Sequence, residues 1–233
     1  RLLAGGADVF IELTLGTPSE LEQMVADGEL DVAIGPFSQK APSVTYIDFT
    51  SEPHSLYCGA KHPLFGKKDS DIDLRDIENS RFSVRRYRYF DDLYLVGHPR
   101  ASASVVEMEG QAMMLLSGHF IGFLPCHFAA PWVKEGRLRA LKPASFDFSS
   151  MHRIAYRTQN GSSPIILAFL EAVRIAKDFL KNAIASSPPI LPMGLNDRPI
   201  YIFHFRGNGI YISFGVAFRI ISCHSSMIRL RAP

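Results

Sequence analysis

The sequence is short of cysteine, of charge imbalance and of long apolar runs, and each shortage removes a class of protein. Cys58, Cys126 and Cys223 are the only cysteines. They lie far apart and form no Cys-x-x-Cys pair, and three thiols cannot all pair within one chain, so a reducing compartment is expected. The formal net charge is +2, which gives no strong field to hold nucleic acid, and no helix-turn-helix pattern is visible. The most apolar run, Ile210 to Ile221, falls short of the roughly 20 residues that cross a bilayer. The apolar stretch at Arg1-Leu2-Leu3-Ala4-Gly5-Gly6 is too short for a signal peptide. These features predict a cytoplasmic chain with no membrane partner. The first residue is not Met, as expected of a fragment or an isolated domain. Catalytic signatures are missing too: there is no Gly-x-Ser-x-Gly, no His-Glu-x-x-His and no phosphate-cradling loop. His119 and His127 flank one segment without metal-ligand spacing around them. The expectation is therefore no catalytic residues, no metal and no cofactor.

What is present is ordinary globular material, 47% hydrophobic and 21% charged, long enough for one large domain or two lobes of about 100 residues each. Val9 to Leu15 reads as a strand with Ile11, Leu13 and Leu15 on one face. Thr17-Pro18-Ser19-Glu20 then opens a helix: Thr17 suits the N-cap, Pro18 the first helical position, and Glu20 completes a capping box. Leu21, Met24 and Val25 supply its apolar face, and Gly28 ends it. Leu30 to Ile34 is a second strand, so the three elements make a βαβ unit with parallel strands.

Further strands are predicted at Val44–Phe49, Leu56–Ala60, Arg81–Val84, Phe120–Leu124 and Ile154–Tyr156, with a helical turn at Asp73–Ile77. Helices are predicted at Val105–Ser117 and Phe128–Glu135. The clearest helix starts at Ser162-Ser163-Pro164, with Ile166, Leu170, Val173, Ala176 and Leu180 in a 3.6-residue stripe. Alternating strands and helices predict an α/β fold with mostly parallel sheets.

Three stretches resemble the effector-binding domain of LysR-type transcription regulators: Leu21 to Ile34 (LEQMVADGELDVAI), Leu56 to Phe65 (LYCGAKHPLF), and Gly118 to Pro125 (GHFIGFLP) followed by Glu135-Gly136-Arg137-Leu138. Phe120 stands where the third motif carries its second glycine. The resemblance covers about residues 9 to 182. It implies a two-lobed fold like that of type 2 periplasmic binding proteins, its lobes joined by two crossover strands near Leu56–Gly59 and Arg153–Tyr156. Lobe I would be residues 1–58 and 153–185, and lobe II residues 59–152. The family's winged helix, linker helix and first lobe I strand find no counterpart. Residues 186–233 match nothing in the family. There, Tyr201–Phe205 and Ile210–Phe214 flank Gly207-Asn208-Gly209, read either as a hairpin on a sheet edge or as a non-native extension.

The function this implies is sensing of a small, anionic metabolite in the cleft between lobes, where strand carboxyl ends meet. Partners would be that effector and a second copy of the chain in a homodimer or higher oligomer, met through the helix Ser19–Asp27 and the strand Leu30–Ile34. DNA would be reached only through a domain not in this sequence. The alternatives are a periplasmic solute-binding protein, an enzyme on the same fold and a truncated, non-functional fragment.

Three segments should reach the cleft. Thr17, Pro18 and Ser19 sit at a helix N-terminus, which favours an anion, although capping alone also explains Thr17. Gly35, Pro36 and Phe37 follow the buried strand; Phe37 is either an apolar wall for the ligand or part of a simple turn. Ser83, Arg85 and Arg86 lie in the run Ser83-Val84-Arg85-Arg86-Tyr87-Arg88-Tyr89. Ser83 matches the family position that donates a hydroxyl. The arginines would clamp a carboxylate, unless this is a solvated basic loop. Asp91-Asp92 reads as a helix start and His62 as structural; Cys126, after Pro125, is placed to face the cleft, with nothing nearby that marks it as a nucleophile.

Overall fold

The computed structural model describes residues 10–185 and 226–231. Strand β1 (Phe10–Leu15) leads through Gly16 into helix α1 (Pro18–Asp27), whose capping box forms as its sequence requires. The Glu20 carboxylate accepts from the Thr17 N–H at 2.8 Å and hydroxyl at 2.7 Å, and the Glu20 N–H donates back to Thr17 Oγ1 at 3.4 Å. Gly28 closes the helix at φ 79°, a left-handed conformation that glycine adopts without a Cβ penalty. Strand β2 (Val32–Gly35) follows, buried along its length.

The next strand, β3 (Val44–Gly59), is one continuous element of 16 residues where the sequence predicts two. The polar stretch Thr50 to His54 breaks the apolar alternation, and Pro53 carries no N–H, so periodicity stops there. The backbone does not, because β8 (Phe148–Arg157) runs alongside and pairs with it from Val44 to His54, with one register shift between Asp48 and Thr50. These two long strands traverse the molecule.

Between them come α2 (Leu74–Glu78), β4 (Arg81–Arg85), α3 (Tyr89–Val96), β5 (Ala103–Val105), α4 (Met108–Leu116), β6 (Phe120–Pro125), α5 (Cys126–Lys134), β7 (Leu138–Ala140) and α6 (Pro143–Phe146). Helix α7 (Pro164–Ala185) follows β8, and β9 (Ser226–Arg231) comes last. The sheet is mixed, in the order β1-β9-β2-β8-β3-β6-β4-β5, with β7 on β3. Its parallel pairings are β5-β4 and β4-β6; the other pairings are antiparallel.

Apolar burial collects at both ends of this sheet. At one end, Leu21, Val25 and Leu30 pack with Ala33, Phe37 and Val44, while Val32, Ile34 and Ile154 pack under Ile166, Phe169 and Val173 of α7. At the other, Leu56, Phe82, Val84, Ile121 and Phe123 form the largest cluster, and Leu115, Leu124, Ala129 and Leu138 a second. Gly122 lets β6, β4 and α4 approach closely: a Cβ there would stand 2.6 Å from Ser83 O and 2.3 Å from Gln111 Nε2.

Three expectations change. β1 and β2 run the same way, as the βαβ reading requires, but they are not hydrogen-bonded neighbours, because β9 lies between them. The place between them is occupied by β9, so part of the unmatched tail belongs to the sheet. β2 offers no surface to a second copy: all four residues are buried, with β9 on one edge and β8 on the other. The expected hairpin at Tyr201–Phe205 and Ile210–Phe214 lies outside the described residues.

Candidate functional site

The end of β1 faces the segments after β4 and β5 across an open cleft lined by Leu15, Gly16, Thr17, Tyr87, Val106, Glu107 and Met108. Thr17 is the one expected ligand residue among these. Its side chain serves the capping box described above, so capping accounts for the hydroxyl, while its backbone still borders the cleft. Pro18 is half-buried and Ser19 exposed beside it. Arg86 is exposed. The Glu20 carboxyl is held below its usual range first by hydrogen bonds from the Thr17 backbone and hydroxyl, and then by the positive charge of Arg86.

Other expected residues lie elsewhere. Arg85 does not clamp a cleft ligand: it is fully buried. Its Nη2 and Nε reach the Asp92 carboxylate at 3.3 and 3.4 Å, and Nη1 donates to His54 Nε2 at 3.1 Å. A second arginine, Arg88, donates to the same carboxylate at 2.9 Å. Buried charges persist where each is paired and hydrogen-bonded, and this arrangement uses up the donors that sequence reasoning gave to an effector. Ser83 is also fully buried and donates to Gln111 Oε1 at 2.7 Å, while Gln111 Nε2 returns a bond to Ser83 O at 2.9 Å. Phe37 packs into the core beside Tyr46 and Val44 and is no cleft wall. Gly35 ends β2, and Pro36 opens a loop fixed by the buried Glu22, which accepts from Ser38 Oγ at 3.1 Å, from the Lys40 N–H at 3.1 Å and from the Tyr46 hydroxyl.

A polar cluster that the sequence did not reveal adjoins Arg85 between the two long strands. Arg85 can only donate, so His54 Nε2 accepts and Nδ1 carries the proton, donating to the Glu52 carbonyl at 3.0 Å. His54 is thus neutral, and burial together with the Arg85 charge pushes its pKa down to about 2. Burial lowers His152 to about 4. The Glu52 carboxyl lies 3.4 Å from His54 Nε2, 3.6 Å from His152 Nε2 and 3.7 Å from His127 Nδ1. Burial pushes Glu52 up to about 8, against the opposing charge of Arg85. At neutral pH its contacts with His54 and His152 are therefore between neutral groups and are not ion pairs. The ring of Phe148 stacks on His54 at 4.7 Å, and Arg88 covers it at 4.7 Å.

Asp92 has a second role beyond the helix start read from sequence. It does lie in the first turn of α3, as a helix start would, but it is fully buried between two arginines. The spacing Arg85, Arg88, Asp92 was the available signal. Among the described residues no group of His, Cys, Asp and Glu could hold a metal ion, and no helix is long and apolar enough to cross a membrane.

Comparison with known proteins gives a consistent answer. The family model of the LysR substrate binding domain matches residues 1–177. The HTH-type transcriptional activator BauR of Pseudomonas aeruginosa is 34% identical over 173 residues, which cover 73% of this chain and 56% of that protein. The chain thus spans about half the length of this curated relative. Among solved structures, the regulatory domain of MexT from Pseudomonas aeruginosa superposes with a TM-score of 0.52 at 14% identity, covering 68% of this chain and 79% of that one. Full-length LysG of Corynebacterium glutamicum with bound effector Arg gives 0.52 at 19% identity, covering 69% and 54%.

Proposed function

Because the chain belongs to the LysR substrate-binding domain family, we propose that it is a small-molecule sensing module that holds its effector in the cleft between the β1–α1 turn and the wall formed by Tyr87 and Val106–Met108. The observation that carries this reading is that cleft itself, bordered by Thr17 from one end of the sheet and Tyr87 from the other. In this reading residues 1–58 and 153–185 form one lobe and 59–152 the other, with β3 and β8 as the crossovers. A ligand touching both walls favours a closed arrangement over an open one. LysG, a structural neighbour, holds a small effector, Arg. BauR, the sequence relative, is a transcriptional activator.

The effector in this proposal is a small acid. Support comes from Arg86, exposed and close enough to the start of α1 for its charge to be felt by Glu20, and from the N-terminus of α1, which adds a favourable dipole. The chain does no chemistry of its own in this reading. It acts in the cytoplasm as a homo-oligomer, meeting its copy through the outer face of α1, and reaches DNA through a part of the protein not in this sequence.

Thermal unfolding against a panel of small carboxylic acids tests the proposal. At least one should raise the midpoint, and Arg86→Ala should weaken that acid by roughly 1.5–3 kcal/mol. A folded preparation that no small acid stabilises removes the sensing reading, and unchanged affinity in Arg86→Ala removes the anionic one.

A further inference from the structure

Nothing in the chain order explains why β9 lies between β1 and β2. It pairs Arg231–Ser226 with Phe10–Leu15 on one edge and Ile228–Ser226 with Val32–Ile34 on the other. Among the described residues β1 has no other strand partner. The turn Leu15-Gly16-Thr17 that borders the cleft is therefore joined to the sheet through β9. Without it, β1 would have no strand partner among the described residues.

The residue pattern of the segment suits this slot in one register. Directly opposed residues share a face of a sheet. Ile228 is level with Leu13 and Val32, and Leu230 is level with Ile11. Val32 belongs to the core under α7. Arg229 is level with Glu12. A slip by one residue would bring Arg229 level with Leu13 or Ile11 instead of Glu12. Recognition of a strand by two edges runs through the backbone, and Ile228 and Leu230 stand at alternate positions of the segment that fills the slot.

We infer that the space between β1 and β2 is a strand-accepting site whose occupant is the chain's own C-terminal segment, Ser226–Arg231, and that this segment builds the β1 wall of the cleft from the far end of the sequence. The inference concerns strand pairing and holds whether or not the cleft binds a small acid.

Hydrogen exchange on the full chain tests it against the double variant Ile228→Pro/Leu230→Pro, in which each proline removes a ladder N–H. Amides of residues 11–15 and 32–34 should lose at least about tenfold in protection while those of 121–124 keep theirs. An excess of the synthetic peptide Ser226–Pro233 should restore protection in the variant. Unchanged protection at 11–15 overturns the inference, and so does a peptide that restores nothing in a variant still protected at 121–124. A second measurement covers the case in which the proline variant unfolds throughout. In the pair Leu13→Cys/Ile228→Cys, mild oxidation should link the two segments within one chain, as read by mass spectrometry of a digest. The out-of-register pair Leu13→Cys/Arg229→Cys should link far less. An absent link in the opposed pair, or equal links in both, overturns the register and with it the inference.

Discussion

The two walls of the cleft are held by different physics. On the Tyr87 side, Arg85, Arg88 and Asp92 form a buried, charged lattice tied to His54. On the Thr17 side, the wall rests on backbone: a capping box and the pairing of β1 with β9. The charged wall should be rigid and intolerant of change, because a charge left alone out of water is costly. The backbone wall should tolerate side-chain changes and depend on the strand beside it. That contrast makes the Thr17 side the better candidate for the moving part of a sensor, since elements that move come from the less stable end of a structure.

The largest expected effect comes from breaking the charged lattice. Asp92→Ala leaves Arg85 buried without its carboxylate and should cost about 3–5 kcal/mol, read as a lower denaturant midpoint. A change below about 1 kcal/mol would show that water reaches Arg85 and that the walls do not differ as described.

The next effect is one of pH. Glu52 holds its proton in the folded state up to about 8 but, unfolded, releases it near 4.5, so the folded state binds the extra proton between those values and stability falls as pH rises through them. His54 and His152 act oppositely: depressed to about 2 and about 4, they bind fewer protons folded than unfolded, so their contribution is present above 6.5 and is lost as pH falls through their folded values. Arg85 faces this group from β4 and His127 from α5. Stability should therefore peak near pH 6.5 and fall by about 2 kcal/mol between 6.5 and 8, at ~1.4 kcal/mol per pH unit. In Glu52→Gln that alkaline decline should disappear from the unfolding curves. A decline of the same slope in the variant would remove Glu52 as its source.

Gly122→Ala probes how tightly the Tyr87 side is packed. The added methyl meets backbone at Ser83 and should cost about 1–3 kcal/mol, with the Ser83–Gln111 bonds displaced. The smallest effect belongs to the other wall. Thr17→Ala should cost about 1 kcal/mol through the lost cap, and Thr17→Ser or Thr17→Asp should restore it. If Thr17→Ser restores stability but not the thermal response to an acidic ligand, the threonine methyl also meets the ligand and the wall is more than backbone.

Much of the fold was legible from residues alone, and for local reasons. The capping box at Thr17 and Glu20, the end of α1 at Gly28 and the stripe of α7 depend on neighbours within a few positions, which the sequence displays directly. The single strand β3 was not legible, because what carries it past Pro53 is β8, about a hundred positions away. The site was less legible than the fold. Thr17 caps α1 and borders the cleft as its pattern requires, while Arg86, read as part of a carboxylate clamp, is exposed and outside the lining residues. Arg85, Ser83 and Phe37 look available in sequence and are buried in fact: Arg85 and Ser83 are consumed by His54 and Gln111, 31 and 28 positions away, and Phe37 packs beside Tyr46.

The sequence by itself determined many of the helices and strands, α1 and α7 most clearly, and the resemblance to the family, because capping, periodicity and the three motifs are short-range properties written in consecutive residues. Which arginine faces solvent, which carboxyl keeps its proton and which strand completes the sheet beside β1 were decided by tertiary structure. Those outcomes depend on desolvation and on pairing between residues as distant as Leu13 and Ile228, and no local pattern encodes either.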